Sequence, residues 1–498
     1  MKTVPLRVGP SQVLLIAAAI LLSACVVGPR YGGPPRAEKE VPPAFKNHWK
    51  VAEPADATTR GRWWNVFRDP ILDQIEEQTI AGNQGLRIAV ARISEARAQA
   101  RVAAADFFPT LDVNARAMRE RTSNTLPFQK GELIGSNPFG STTAGEDTPT
   151  VISTQPLTTI QNDFRVPAEL NWEIDLFGRV RHEYAAARAL AESQVADLEA
   201  MRLSVTANVA ATYFMLRALD AELDVLDRTV SARQDALRIA SERLQAGLTS
   251  ELDVTRARAD LAADQASGFQ VQRSRAEMEN ALATLIGRPA SELQMPRRPL
   301  AGVNPRIPVG LPSDLLERRP DIASAERMLA AANERIGVAT AAFFPRIRLT
   351  GAGGFESADI GLLFNAESRF WQIGPSVSLP IFEGGRNVAN LRAARVRYEE
   401  ALGQYRKQLL VAFQEVENAL VDLRTLSGQA EAQARVVTAA RRAYDLSQQQ
   451  YQKGASNYLD VLDAERTLLQ GERAQTALLG QQMQATVQLI KALGGDWG

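Results

Sequence analysis

Residues 386–452 read RNVANLRAARVRYEEALGQYRKQLLVAFQEVENALVDLRTLSGQAEAQARVVTAARRAYDLSQQQYQ. The stretch holds no proline, and its interior glycines are Gly403 and Gly428. Apolar or small residues return every third or fourth place, at Leu391, Ala394, Tyr398, Leu402, Tyr405, Leu409, Phe413, Val416, Leu420 and Leu423. Ala430, Ala434, Val437, Tyr444 and Tyr451 extend the series. This is one stripe along one helix. At ~1.5 Å per residue the helix is roughly 100 Å long, against about 11–12 residues for an ordinary globular helix.

The rod has a twin. Arg179 to Gln245 is equally long and contains neither proline nor glycine. Gln245-Ala246-Gly247 precedes Leu252-Asp253-Val254, and Gln452-Lys453-Gly454 precedes Leu459-Asp460-Val461 at the same offset. Upstream, Phe107-Phe108-Pro109 matches Phe343-Phe344-Pro345. The chain is therefore an internal tandem duplication, with extra residues between the Phe-Phe-Pro motif and the rod in the first copy.

Composition narrows the function classes. Lys and Arg number 57 and so do Asp and Glu, so no basic excess exists for nucleic acid. The histidines are His48 and His182, and Cys25 is the single cysteine, which leaves no metal cluster or disulfide framework to build. No P-loop, GxSxG elbow or metal-ligand spacing is present, so an enzyme is not expected and no cofactor is implied.

The N-terminus reads as a signal peptide over residues 1–24. Lys2 and Arg7 precede an apolar run from Val13 to Leu22, then Leu22-Ser23-Ala24-Cys25. That run is short for a membrane span of ~20 residues. The last four residues look like a lipobox, in which Cys25 is acylated; the bland alternative is an ordinary signal with an incidental cysteine. Residues 25–68 are expected to be a lipid-anchored tether, extended over the proline-rich 28–62.

A first repeat is assigned to 69–288 and a second to 313–498, joined by a proline-rich linker at 289–312. Each repeat opens with a helix, continuous from Asp69 to Ala105 in the first. After Pro109 the period changes to two, with strands expected at 110–119 and 164–175, then at 346–355 and 370–381. Phe164, Val166, Ala168, Leu170 and Trp172 alternate with Arg165, Glu169, Asn171 and Glu173. A soluble sheet with one buried face gives the same alternation. So does a lipid-facing barrel with a wet lumen, for which each segment has the length of a tilted strand of ~9–11 residues. Four strands cannot close a barrel, and open edges cannot sit in hydrocarbon, so a spanning sheet requires several copies.

The rods over 179–245 and 386–452 break at glycine, and the chain returns through helices at 250–286 and 457–493. Ser250, Ser456 or Asn457 can cap them. Ser313 is expected to cap a short helix that Pro320 stops, and Asp321 to cap the next. Glu317-Arg318-Arg319-Pro320-Asp321 reads as a junction of caps and ion pairs.

These stretches carry a resemblance. Cys25 followed by Val27-Gly28-Pro29-Arg30-Tyr31, then Trp63 with Phe67-Arg68-Asp69-Pro70, then Leu311 to Ile322 and Leu459 to Glu465 resemble signatures of the TolC-like outer-membrane efflux channels, lipoprotein subfamily. The resemblance covers nearly all of the mature chain. It implies an α+β membrane protein, a homotrimer sharing one 12-stranded β-barrel with four strands per chain. That barrel would continue into a long periplasmic α-helical barrel. It implies a passive duct in the cell outer membrane, joined by a periplasmic membrane-fusion adaptor to an inner-membrane transporter of the RND type. The tips Gly247, Leu248, Thr249 and Gly454, Ala455, Ser456 are then candidates for adaptor docking. Asp445 resembles a gate aspartate of the family, and Arg441 and Arg442 beside it could pair across to another subunit. Glu120 to Asp163 departs from the family in its length. Other readings are an exit duct for type I protein secretion, a dedicated metal or metabolite efflux line, and a lipid-anchored coiled-coil spacer.

Overall fold

The computed structural model describes residues 26–34, 61–121, 160–300 and 319–495. The signal segment, Cys25, most of Glu120–Asp163 and Ser313 lie outside them. The chain divides into two compact units. One takes Val102–His182 and Gly337–Asn390 with the segment up to Gly28; the other takes Pro29–Arg101, Glu183–Ile336 and Leu391–Gly498.

The first unit is a sheet of β1 (Thr110–Val113), β2 (Arg116–Arg121), β3 (Ile160–Ile174), β4 (Arg346–Ser357) and β5 (Arg369–Ser378). All neighbours are antiparallel. β1 and β2 both pair with β3, so they form one interrupted strand and the sheet has four positions. The single strand expected over 110–119 is broken at Asn114 and Ala115. The cause lies opposite, where Pro167 of β3 has no N–H to donate. Asn114 N–H donates to the Pro167 carbonyl at 3.3 Å, and no bond can return. β3 starts at Ile160, ahead of the expected 164, because β2 runs on to Arg121 and pairs with it. β5 stops at Ser378, short of the expected 381: Pro380 cannot extend the ladder, and Ile381 and Phe382 stand exposed. The second strand pair otherwise covers the expected residues.

The helices are α1 (Pro70–Gly82), α2 (Gln84–Ala105), α3 (Arg179–Gln245), α4 (Glu251–Ile286), α5 (Pro320–Ala341), α6 (Arg386–Gln452) and α7 (Tyr458–Ala492). The rods α3 and α6 each run 67 residues unbroken. The helix expected from Asp69 to Ala105 is instead two. Asn83 ends α1 in an extended conformation and its Oδ1 accepts Leu86 N–H at 3.1 Å, which makes it the N-cap of α2. Its Nδ2 donates to the Leu285 carbonyl at 2.7 Å. A Cβ on Gly82 would lie 2.3 Å from the Ile286 carbonyl oxygen, so only glycine fits beside the end of α4. Asn83→Ala is expected to lower stability by about 1–2 kcal/mol, the usual size for a lost cap, as read from the melting of the helical signal.

The core of the second unit corrects the tether reading at its end. Trp63–Phe67 is a 3₁₀ turn whose Trp63, Trp64 and Phe67 are buried. They pack with Leu72 and Ile75 of α1, Tyr213 and Leu216 of α3, Leu282 of α4 and Val487 of α7. Trp63 Nε1 donates to Thr206 Oγ1 at 3.0 Å, which satisfies the indole in the core. A second cluster gathers Tyr405, Leu409, Phe413 and Val416, members of the α6 stripe, with Ile322 of α5 and Leu489 of α7.

Pro320 is the first residue of α5, where a missing N–H costs nothing; the short helix expected from Ser313 up to it lies outside the described residues. Asp321 is inside the first turn, its Oδ1 accepting Ile322 N–H at 3.0 Å. Arg319 is buried and ties three elements. It donates to Asp321, to the Ala492 carbonyl at 2.9 Å and pairs with Glu415 at 2.7 Å. Despite burial, the Arg319 and Gln408 bonds hold the Asp321 carboxyl below the usual carboxylate range.

Candidate functional site

The sheet has two chemically opposite faces, and residues paired across strands share a face. One face carries Leu111, Val113, Phe164, Val166, Leu170, Trp172, Ile347, Leu349, Phe355, Trp371, Ile373 and Val377. Trp371 is 81% exposed, Leu111 69% and Val377 66%, so this apolar surface is uncovered. The other face is a ladder of cross-strand ion pairs. Arg116 meets Asp163 at 2.7 Å, Arg165 meets Glu356 at 3.6 Å and Arg348 meets Glu173 at 3.9 Å. Arg165 also lies over the Phe370 ring at 4.5 Å. The sheet has two open edges, β1 with β2 on one side and β5 on the other.

Val26 to Gly28, directly after Cys25, is seated in the same unit. Val27 N–H donates to the Phe177 carbonyl at 3.2 Å. A Cβ on Gly28 would come 2.8 Å from Gly337 Cα, and one on Gly337 would meet the His182 ring at 2.6 Å. Gly28, Gly337 and the buried His182 therefore form a contact that admits no larger residue. Cys25 itself lies outside the described residues.

In the second unit the two tips share one geometry. Gly247 has φ +70° and Gly454 φ +71°, the left-handed conformation that closes a helix. Leu248 N–H donates to the Arg243 carbonyl and Ala455 N–H to the Gln450 carbonyl, both at 2.8 Å. Ser250 caps α4 in a capping box with Asp253, and Asn457 caps α7. Hydroxyl donors on Thr249 and then Ser250 hold the Asp253 carboxyl below its ordinary range. Gly247, Leu248, Gly454 and Ala455 are exposed; Thr249 and Ser456 are half-buried. The hairpins are joined near their tips, where the Arg243 guanidinium lies 4.9 Å over the Tyr451 ring.

Asp445 and Arg442 are exposed on α6. Arg441 is engaged within the chain, paired with Glu472 of α7. The sequence reading missed the neighbouring hub. Arg233 of α3 is 3% exposed and contacts Asp264 of α4 at 3.2 Å and Glu465 of α7 at 2.9 Å, so one arginine ties both hairpins. Burial first, then Asp264 and Asp260, push the Glu465 carboxyl up, against the pull of Arg233. A signal existed. Arg233 lies seven residues from each of Leu226 and Ala240, both buried, so it is a charge in a core register.

The family model described as Outer membrane efflux protein matches residues 76–288 and 311–495. The chain belongs to the outer membrane efflux protein family. As a member it resembles the solvent efflux pump outer membrane protein SrpC of Pseudomonas putida, 33% identical over 487 residues, 96% of this chain and 97% of that one. It also resembles the pyoverdine export outer membrane protein OpmQ of Pseudomonas aeruginosa, 32% identical over 490 residues, 97% of this chain and 96% of that one. The solved outer-membrane channel OprN superposes with a TM-score of 0.78 at 31% identity, covering 95% of this chain and all of that one. The member is thus an outer-membrane protein with the fold of an efflux channel.

Proposed function

We propose that this family member is the outer-membrane exit duct of a tripartite efflux system, a passive conduit for drugs and other small toxic compounds. The observation that carries the reading is the sheet: one face uncovered and apolar, the other charged and paired, with two edges free. Unpaired edges in hydrocarbon leave backbone groups without partners, each costing several kcal/mol. Three copies join edge to edge into a 12-stranded barrel, which removes every edge and turns the ion-pair ladder toward water. Acylated Cys25 anchors each copy, and the seat formed by Gly28, His182 and Gly337 sets where the anchor leaves the fold.

The exposed tips at Gly247-Leu248-Thr249 and Gly454-Ala455-Ser456 dock the membrane-fusion adaptor, which links the duct to an RND-type inner-membrane transporter. Asp445, with Arg441 and Arg442, belongs to the resting gate. A wide, water-filled duct selects little, so the transporter sets the cargo. The pyoverdine exporter among its relatives favours a second cargo reading, a dedicated metabolite line.

The test is electrical. Purified full-length protein is expected to run as an SDS-resistant trimer and to give discrete single-channel steps in planar bilayers. Asp445→Ala is expected to raise the conductance of each step. A soluble monomer without steps would remove the duct; steps of unchanged size in the variant would remove only the gate assignment.

A further inference from the structure

The apolar face ends in arginines at one end only. Pairing places Ala117 opposite Phe164, Arg119 opposite Asn162 and Arg121 opposite Ile160. Arg119 and Arg121 therefore continue the apolar face beyond Phe164. On the other edge strand Arg369 pairs with Phe355, again on that face. All three are exposed. This is the end of the sheet farther along the strands from the helices, since β3 leads into α3 at Ile174 and β4 follows α5 at Arg346.

Their partners set them apart. On the polar face Arg116, Arg165 and Arg348 each have a carboxylate within salt-bridge distance. Among the described residues Arg119, Arg121 and Arg369 have none, and the paired residues beside them on their face are Asn162, Ile160 and Phe355. Glu120, Asp163 and Glu356 point to the opposite face by the alternation of the strands. Three positive charges thus border an uncovered apolar surface and lack a counter-charge from the sheet.

The heights fit a bilayer. Ile174 to Phe164 spans ten residues, roughly 33 Å along the strand, or about 23 Å of height at a tilt of ~45°, close to the ~25 Å apolar band of outer-membrane barrels. Arg119 and Arg121 stand one and two pleat repeats further, about 5 and 9 Å higher at that tilt. That is headgroup level on the side away from the helices. Guanidinium groups there match phosphate in charge and in bidentate geometry.

We propose that Arg119, Arg121 and Arg369 form a docking rim for the phosphorylated glycolipid headgroups of the outer leaflet. The inference rests on the duct reading above. In a closed barrel the edge strands of adjacent copies meet, which brings the Arg369 edge of one copy to the Arg119 and Arg121 edge of the next. Positive charges from both copies then flank each seam, Arg369 in the Val166 row and Arg119 and Arg121 further along the strands, and a phosphorylated lipid lying along the seam neutralises them and ties the copies together.

The experiment uses the full-length trimer in detergent, titrated with bis-phosphorylated lipid A, with the same lipid stripped of phosphate, and with inorganic phosphate. Bound lipid is counted by native mass spectrometry and the trimer's melting followed in parallel. Phosphorylated lipid A is expected to bind and to raise the melting temperature, and the other two to do neither. Arg119→Gln, Arg121→Gln and Arg369→Gln combined are expected to weaken lipid binding by about ten-fold or more, the loss of at least one charge-assisted phosphate contact. Arg116→Gln, on the polar face, is expected to leave it unchanged. Equal binding of the phosphate-free lipid, protection by inorganic phosphate alone, or full affinity in the triple variant overturns the rim. A protein that conducts yet shows any of these loses the rim alone; one that never conducts loses the duct reading.

Discussion

Asp220→Ala is expected to destabilise the fold by about 3–5 kcal/mol, the range for removing one member of a buried ion pair. Asp220 is 1% exposed and Arg217 2%. The Asp220 carboxylate accepts from Arg217 Nη1 at 3.0 Å, from Arg275 Nε at 2.6 Å and from the Arg298 backbone N–H at 3.0 Å. It therefore joins α3, α4 and the start of the linker. Arg275 retains Glu279 at 2.7 Å and Arg217 retains the Pro296 carbonyl at 2.7 Å, but Arg217 loses its only carboxylate contact among the described residues. The cost is that of a buried guanidinium left without a counter-charge, more than the net value of the pair itself. Replacing Arg217, Asp220 and Arg275 together by apolar residues of similar volume is expected to recover most of the loss. Melting of the helical signal decides it; a variant that melts with the parent sinks the assignment.

The second large effect depends on pH. Glu76 of α1 is fully buried, and neither carboxyl oxygen has a hydrogen-bond partner. Burial, and then the neighbouring Asp73, push its pKa from 4.5 to about 9. The Asp73 carboxyl is itself raised, by burial and then by Asp69 and Glu77. The folded state thus keeps the proton that the unfolded chain has released. Below about 4.5 the group is neutral in both states and carries no penalty; stability is lost as pH rises from there to about 9. At pH 7 the loss amounts to about 3.5 kcal/mol at most, from roughly 1.4 kcal/mol for each pH unit above the unfolded value. Glu76→Met, unbranched and apolar, is expected to recover that loss at pH 7–8 and to gain little at pH 4.5. Parallel stability curves for parent and variant across that range would contradict the account.

Several features were open to a reader of the chain alone. The rods α3 and α6 follow from an apolar spacing of three and four without proline, because side chains three and four apart share a helix face. The tips at Gly247 and Gly454 follow from a left-handed cap that glycine adopts without strain. The sheet's two faces follow from a period of two. All of these are contained within a few neighbouring residues, so local order suffices to read them.

Other features depended on residues far apart in the chain. The break between β1 and β2 is caused by Pro167, on a different strand. The break at Asn83 is stabilised by the Leu285 carbonyl, some two hundred positions away. Trp63, Trp64 and Phe67 look like the end of a tether until α3, α4 and α7 supply the pocket that buries them. Arg233 acquires its role only when Asp264 and Glu465 arrive from two other helices. Backbone periodicity is written in order along the chain, whereas burial and charge pairing depend on which distant groups fill the neighbouring space, and only the folded arrangement decides that.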